Sequence, residues 1–336
     1  MNSGATAGTP PGLERGERAP DMVLPIEGTP TRFYAHAGGR PAVLIHAGNA
    51  SPAAVQGLAE GLMAGEHPMT VHIVGPPDLA QHELPCPLLQ DRTGAAGQAL
   101  RTGGQPVAFL LDRNLRVQQR FGVSATAAPD VLAMVQQLWD AEPEAREITR
   151  QTPVLIVPDV LDDAMCAQLI EVWAADNHAT GVESSTDGRR AETGNAKLKR
   201  RRDHIVEDAA LGQRLAETIG RRVMPELRRA FAYRASRFEG FKIGCYTDTD
   251  RGFFSPHRDN LSPSTAHRAF ALTLNLNEDY EGGQLRFPEY GPDRFRPPKG
   301  AALMFSGSLL HEVLDVTAGR RFVLLSFLFA DPPATG

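Results

Sequence analysis

The stretch AEPEAREITRQTP, residues 141–153, is charged, contains proline and lacks apolar periodicity, and it parts two halves whose hydrophobic patterns differ in kind. Before it, apolar runs alternate with helical stretches. RPAVLIHAG (40–48) has the continuous apolar run of a strand covered on both faces, and an Ala- and Leu-rich helical stretch follows at 52–64. MTVHIVG (69–75) reads as a second strand, and QPVAFLLDRNLRVQQRFG (105–122) as a third and fourth joined by an Asp-Arg-Asn turn, ahead of a helix near 129–140. That order predicts a small α/β layer. After the break, LDDAMCAQLIEVWAADN predicts an amphipathic helix with an Asp near its start, and LGQRLAETIGRRVMPELRRAF one or two more. From Arg237 onward, short apolar segments separated by turn residues predict an antiparallel β core flanked by helices. A length of 336 residues exceeds what one hydrophobic core usually reaches, in keeping with two domains.

The first 18 residues, rich in Gly, Pro and Thr, bury too little apolar surface to offset ordering entropy and read as a flexible tail. They lack the apolar core of a signal peptide, and no later run approaches a membrane span. Cysteines at 86, 166 and 245 form neither a CxxC pair nor a disulfide framework, so a reducing cytoplasm is the expected address. A net charge of -5 gives no reason to expect nucleic acid or an anionic membrane as partner. The one basic cluster, KLKRRRDH (197–204), is local: it either grips an anionic substrate or is a solvated loop, with Asp203 and His204 as possible gate residues.

In SPHRDN, His257 and Asp259 are two apart, and on an extended strand that spacing puts an imidazole and a carboxylate on one face. His311 follows in KGAALMFSGSLLHEVLDVTAGRRFVLLSFLF, after an apolar strand and a Ser-Gly loop and before a hairpin through Thr317-Ala318-Gly319. Two histidines and one carboxylate make the facial triad that leaves positions open on non-haem Fe(II), as a co-substrate and O2 require. Nine and ten residues beyond His311, Arg320 and Arg321 enter the next apolar strand. Adjacent strand residues face opposite sides, so one of the two turns inward, where a guanidinium is costly unless its planar fork meets a carboxylate. Arg321 is the preferred candidate.

Together CYTDTDRGFFSPHRDN, LTLNLNEDYEGGQLRFPEYG and KGAALMFSGSLLHEV with AGRRF resemble the prolyl-4-hydroxylase-like branch of the 2-oxoglutarate and Fe(II) dioxygenases, over roughly residues 150–332. The resemblance implies a double-stranded β-helix (jelly roll) with flanking helices for residues 150–336. It implies Fe(2+) on His257, Asp259 and His311, with 2-oxoglutarate and O2 as co-substrates, and ascorbate as a possible reductant. Tyr246 matches the tyrosine that hydrogen-bonds 2-oxoglutarate, Arg321 the residue that binds its distal carboxylate, and Asn275 stands where relatives often carry a pocket tyrosine. The implied reaction is hydroxylation of an unactivated C–H of a prolyl, peptidyl or amino-acid-like substrate, with release of succinate and CO2. Glu281 to Gly283 read as a tight structural turn.

Residues 19–142 resemble the thioredoxin-like peroxiredoxin group, on GERAPDMVLPIEG and on Gln105-Pro106, which falls where that group has a cis-proline. The loop NASPAAV carries no cysteine where a catalytic thiol belongs, and Cys86 lies elsewhere, so this thioredoxin-like domain is expected to be redox-inactive. Its expected use is docking a substrate, a partner or a second copy of the chain. The rival readings are a non-catalytic binding or oxygen- and iron-sensing protein docking through this domain, and a metal-dependent hydrolase or isomerase, which would not need Arg321.

Overall fold

The computed structural model describes residues 9–186, 189–193 and 196–331, with the backbone alone in the hairpin 182–193. The chain divides into two compact units, residues 1–146 and 147–336.

In the first unit β1 (Ala42–His46), β2 (Thr70–Gly75), β3 (Leu88–Gln90), β4 (Val107–Leu111) and β5 (Val117–Phe121) form one sheet in the order β3-β2-β1-β4-β5. β1 runs parallel to β2 and antiparallel to β4, and all five of its residues are buried, as a central strand covered on both faces must be. Helix α1 (Pro52–Met63) starts where the Ser51 hydroxyl accepts the Ala54 N–H, with Pro52 in the first turn. It lays Val55, Leu58 and Leu62 on the sheet beside α2 (Ala128–Asp140). Of the expected tail, residues 1–8 lie outside the described residues, but 9–18 are packed. Leu13 is buried, the Gly16 N–H donates to the Val117 carbonyl at 2.8 Å, and the Val117 N–H donates to that of Glu17 at 2.8 Å. Composition missed this because edge strand β5 recruits the segment through backbone groups, which any residue supplies. No described peptide bond is cis, so Gln105–Pro106 is trans, contrary to the expected cis-proline. An X–Pro bond favours trans by about 0.5–1 kcal/mol, and the Gln105 carbonyl is held by the His46 ring at 3.0 Å.

The second unit is β-sheet-rich. Its larger sheet contains β6 (Val154–Val157), β7 (Arg202–Ile205), β8 (Lys242–Thr247), β10 (Phe270–Asn275), β13 (Ala302–Ser306) and β15 (Val316–Phe329), in the order β6-β13-β10-β15-β8-β7. A smaller antiparallel sheet contains β9 (Phe254–His257), β11 (Leu285–Arg286), β12 (Arg294–Phe295) and β14 (His311–Val313), in the order β9-β14-β11-β12. Two facing antiparallel sheets are consistent with the expected jelly roll.

Helices cover the outer face of the larger sheet. Helix α3 (Asp163–Ala175) is capped by Asp162, and α4 (Ala209–Phe231) by Asp208. The i, i+4 stripe Leu211, Leu215, Ile219, Val223 and Leu227 packs with Ile243, Leu272, Leu274 and Leu324, each such burial contributing about 1.5–3 kcal/mol. The stripe runs through Pro225, so the segment is one helix, not two: packing on either side outweighs the one backbone hydrogen bond that proline removes. Period-two alternation sends Ala271, Leu303 and Val323 to the opposite, inner face with Leu285, Phe287 and Val313 of the smaller sheet's side. The candidate site opens in this inner space.

The expected hairpin through Thr317-Ala318-Gly319 does not form. These residues belong to β15, whereas His311's strand β14 pairs with β9 and β11 in the other sheet. Gly319, at φ +72°, bends the strand rather than reversing it, and a Cβ there would meet the Asp279 carbonyl at 2.7 Å. No described helix is long and apolar enough to cross a membrane.

Candidate active site

β9 and β14 are antiparallel and pair His257 directly with His311. Cross-strand neighbours share a face, so the two rings come together with centroids 4.2 Å apart. Asp259 arrives differently from the expected shared strand face. β9 ends at His257, and Asp259 lies in the following turn, fixed by its N–H donating to the Gly307 carbonyl at 2.9 Å. Its carboxylate oxygens lie 3.6 Å from His257 Nε2 and 3.5 Å from His311 Nε2. Among the described residues these three can hold a metal ion, each offering one ligand atom, all within 4.8 Å of one another.

The tautomers suit that task. His257 Nδ1 lies 2.8 Å from the Ser255 carbonyl and His311 Nδ1 2.9 Å from that of Leu309. A carbonyl only accepts, so Nδ1 carries the proton and both Nε2 lone pairs face Asp259. Burial, with His311 alongside, pushes the His257 imidazole down to about 3, which keeps it neutral and able to ligate.

The three residues border a cavity of about 400 Å³ between the sheets, lined also by Tyr246, Arg321, Lys199 and Arg201. Tyr246 and Arg321 are register partners on β8 and β15, and each is 2% exposed. Arg321 Nε is buried without a hydrogen-bond partner, and one terminal nitrogen donates to Asn275 Oδ1 at 3.1 Å. Burying a guanidinium N–H is costly unless it meets an acceptor. Gly283 leaves it room, since a Cβ there would sit 3.0 Å from Arg321 Cδ. Arg320, the adjacent residue, is exposed, with its guanidinium over the Phe322 ring.

Asn275 does not border the cavity as a pocket-lining residue would. Its amide donates to the Tyr280 hydroxyl at 3.0 Å and the Pro297 carbonyl at 2.6 Å, so it braces Arg321 from behind.

The basic segment holds residues that composition did not single out. From 199 to 203 alternate positions turn inward: Lys199 is 8% exposed, Arg201 half-buried and Asp203 0% exposed, while Arg200 and Arg202 are exposed. Alternation through Lys199, Arg201 and Asp203 was the signal available in the sequence. Arg201 clamps Asp203 with Nε to Oδ1 at 2.5 Å and the second nitrogen to Oδ2 at 2.8 Å. Asp203 and His204, expected as possible gate residues, are engaged elsewhere, His204 with the Asp176 carbonyl at 2.8 Å.

Burial by itself would raise the Asp203 carboxyl, but Arg201, helped by Lys199 and Thr180, more than compensates and holds it well below the usual carboxylate range. A carboxyl depressed in the folded state stabilises fully above its unfolded value, about 3.9, and loses that contribution as pH falls towards the folded value. Asp203→Asn should therefore lower stability at pH 7 by about 3–5 kcal/mol, by stranding Arg201, and the gap to the unaltered protein should narrow below pH 4. Thermal melts from pH 7 to 3 read this, and a gap that stays constant would contradict it.

Residues 241–329 match the family model described as 2OG-Fe(II) oxygenase superfamily. A PKHD-type hydroxylase of Synechococcus sp. (strain JA-2-3B'a(2-13)) is 26% identical over 190 residues, covering 53% of this chain and 80% of that protein. Procollagen-lysine,2-oxoglutarate 5-dioxygenase 1 of Rattus norvegicus is 36% identical over 107 residues, 29% of this chain and 15% of its own length. Among solved structures, a Pseudomonas putida prolyl-4-hydroxylase is similar at 18% identity and a TM-score of 0.42, over 55% of this chain and 95% of that one.

Proposed function

We propose that the C-terminal unit, a 2OG-Fe(II) oxygenase domain, hydroxylates an unactivated C–H of a prolyl, peptidyl or amino-acid-like substrate. The observation that carries this reading is one cavity lined by two unrelated sets of groups: three converging Nε2 and carboxylate donors, and the buried Arg321 guanidinium, whose Nε has no hydrogen-bond partner among the described residues. Two neutral imidazoles and one carboxylate suit Fe(2+) and leave positions open, so His257, Asp259 and His311 would hold the metal. Arg321 would take the distal carboxylate of 2-oxoglutarate, with Asn275 fixing the guanidinium. Tyr246 would donate its hydroxyl to the same molecule. When bound, iron and 2-oxoglutarate supply the oxidising power: O2 converts 2-oxoglutarate to succinate and CO2 and delivers one oxygen atom to the substrate carbon. The chain's own contribution is orientation and exclusion of water by the apolar walls Phe254, Phe305 and Val323. The test is succinate release from 2-oxoglutarate that requires Fe(2+) and O2, with mass spectrometry for a gain of one oxygen in peptide and amino-acid libraries. Activity that persists without O2 would instead favour a hydrolase or isomerase.

For residues 19–142 we propose a thioredoxin-like domain without thiol chemistry, serving to dock a substrate or partner. Residues 48–55 contain no cysteine, and burial pushes the Cys86 thiol up to about 11, far from a reactive thiolate at neutral pH. The full chain should consume no peroxide above the level of its Cys86→Ser variant. A rate that Cys86→Ser removes would refute the proposal.

A further inference from the structure

Tyr246 has one hydroxyl proton, and among the described residues its hydroxyl meets a group that can only donate. Arg201 directs a terminal N–H at the hydroxyl oxygen across 3.1 Å, and a guanidinium has no acceptor. The oxygen is thereby an acceptor from Arg201, and its proton is left to point elsewhere. Two guanidinium groups approach the ring, Arg201 Cζ 5.5 Å and Arg321 Cζ 5.6 Å from its centroid, and both arginines line the cavity.

Arg201 is itself fixed more firmly than a barrel-closing ion pair requires. Its fork is held by both oxygens of Asp203, which is fully buried. Asp203 Oδ2 also accepts from the Thr180 hydroxyl at 2.6 Å, and Lys199 Nζ lies 3.5 Å away. The segment carrying these residues is tied to both sheets. The Ser255 N–H donates to the Leu198 carbonyl at 2.8 Å and the Arg200 N–H to that of Phe253 at 3.0 Å, while β7 pairs with β8. Opposite Asp203 on β8 stands Gly244, where a Cβ would lie 3.0 Å from both Arg201 Cδ and Asp203 Oδ1. The absence of a side chain there is what lets the pair lie flat beside Tyr246.

We propose that Arg201, locked by Asp203, is a positioning residue that sets the Tyr246 hydroxyl as a hydrogen-bond donor into the cavity, for a carboxylate oxygen of 2-oxoglutarate. This rests on the proposed co-substrate, and it adds a function for the basic segment: no substrate contact, but control of one proton's direction. A phenol free to rotate would spend part of its time as an acceptor, which a carboxylate rejects. Arg201 removes that orientation before the ligand arrives.

The test is 2-oxoglutarate binding to the full chain loaded with Mn(2+), which measures affinity without turnover. Tyr246→Phe should weaken binding about tenfold, the effect of losing one hydrogen bond to a charged group. The pair Arg201→Gln with Asp203→Asn, which removes both members of the ion pair and leaves Lys199 on the Thr180 hydroxyl and the Gly181 carbonyl, should weaken it by a similar factor, and adding Tyr246→Phe to that pair should weaken it no further. Effects that multiply, or a pair variant that binds as the unaltered chain does, would overturn the proposal. Should the pair variant fail to fold, Gly244→Ala presses on Arg201 with a single methyl. Its loss of affinity should vanish in the Tyr246→Phe background, and an equal loss in both backgrounds overturns the proposal. Arg321→Ala is the separate arm. If it binds 2-oxoglutarate as tightly as the unaltered chain, the co-substrate site is misassigned and this inference falls with it.

Discussion

His311→Ala should lower iron-dependent succinate formation by roughly a thousandfold or more, since a metal supplies several kcal/mol of charge stabilisation and each 1.36 kcal/mol is a factor of ten. The same holds for Asp259→Ala and His257→Ala, because each removes one of three donors gathered within 4.8 Å. The fold should survive. The triad satisfies no helix cap or strand ladder with its side chains, and without metal it crowds two imidazoles against one carboxylate. Circular dichroism and melting should therefore show an unaltered fold with abolished turnover. His311 is also packed against Phe305 at 4.5 Å between centroids, so the alanine variant loses some packing and His311→Gln is the better-matched companion. Full activity in either variant would remove His311 from the metal site.

Arg321→Ala should raise the KM for 2-oxoglutarate by roughly 10- to 100-fold, the range for losing a charge-assisted hydrogen bond of about 1.5–3 kcal/mol. Arg320→Ala should change it by less than about twofold, since an exposed residue on the opposite face of the strand contributes little by charge alone. The stability readout should run the other way. Without ligand, Arg321 places a guanidinium in the interior with Nε unpartnered, and no described carboxylate pairs with it. Arg321→Met keeps the stem and removes that charge, so its melting temperature without 2-oxoglutarate should equal or exceed that of the unaltered protein. Added 2-oxoglutarate should raise the melting temperature of the unaltered chain and not that of the variant. A reversed ranking of Arg320 and Arg321 would mean that the facing of β15 has been misread.

The outcome of these variants also bears on why Asn275 is where it is. An asparagine in place of a pocket tyrosine shortens the side chain, so its amide stops behind Arg321 and bonds Tyr280 and the Pro297 carbonyl. Its role as a cofactor contact came from positional resemblance, which carries the location of a residue but not its reach.

The sequence by itself determined what depends on near neighbours. Alternation and apolar continuity are local properties, and they indicated four of the five strands between Ala42 and Phe121, missing the short Leu88–Gln90, together with the stripe of α4 and the inward turn of one of Arg320 and Arg321. Three ordered motifs pointed to the family whose model matches residues 241–329. What only the tertiary structure decided depends on which distant groups are brought together. That His257 stands opposite His311 follows from β9 and β14 pairing in the smaller sheet, and a reading that expected a hairpin after His311 had put its strand in the wrong partnership. Residues 9–18 are held by backbone hydrogen bonds to β5 and by side chains far along the chain, with Leu13 in the core and Glu17 paired with Arg101, and neither kind of partner is legible in the segment itself. Residues 197–204 read either as a grip for an anionic substrate or as a solvated loop, with Asp203 as a possible gate, because charge in a sequence does not reveal its partner. In the fold, segment 197–205 crosses from one sheet to the other, and that crossing turns alternate side chains inward, where burial makes each ion and each hydroxyl proton matter.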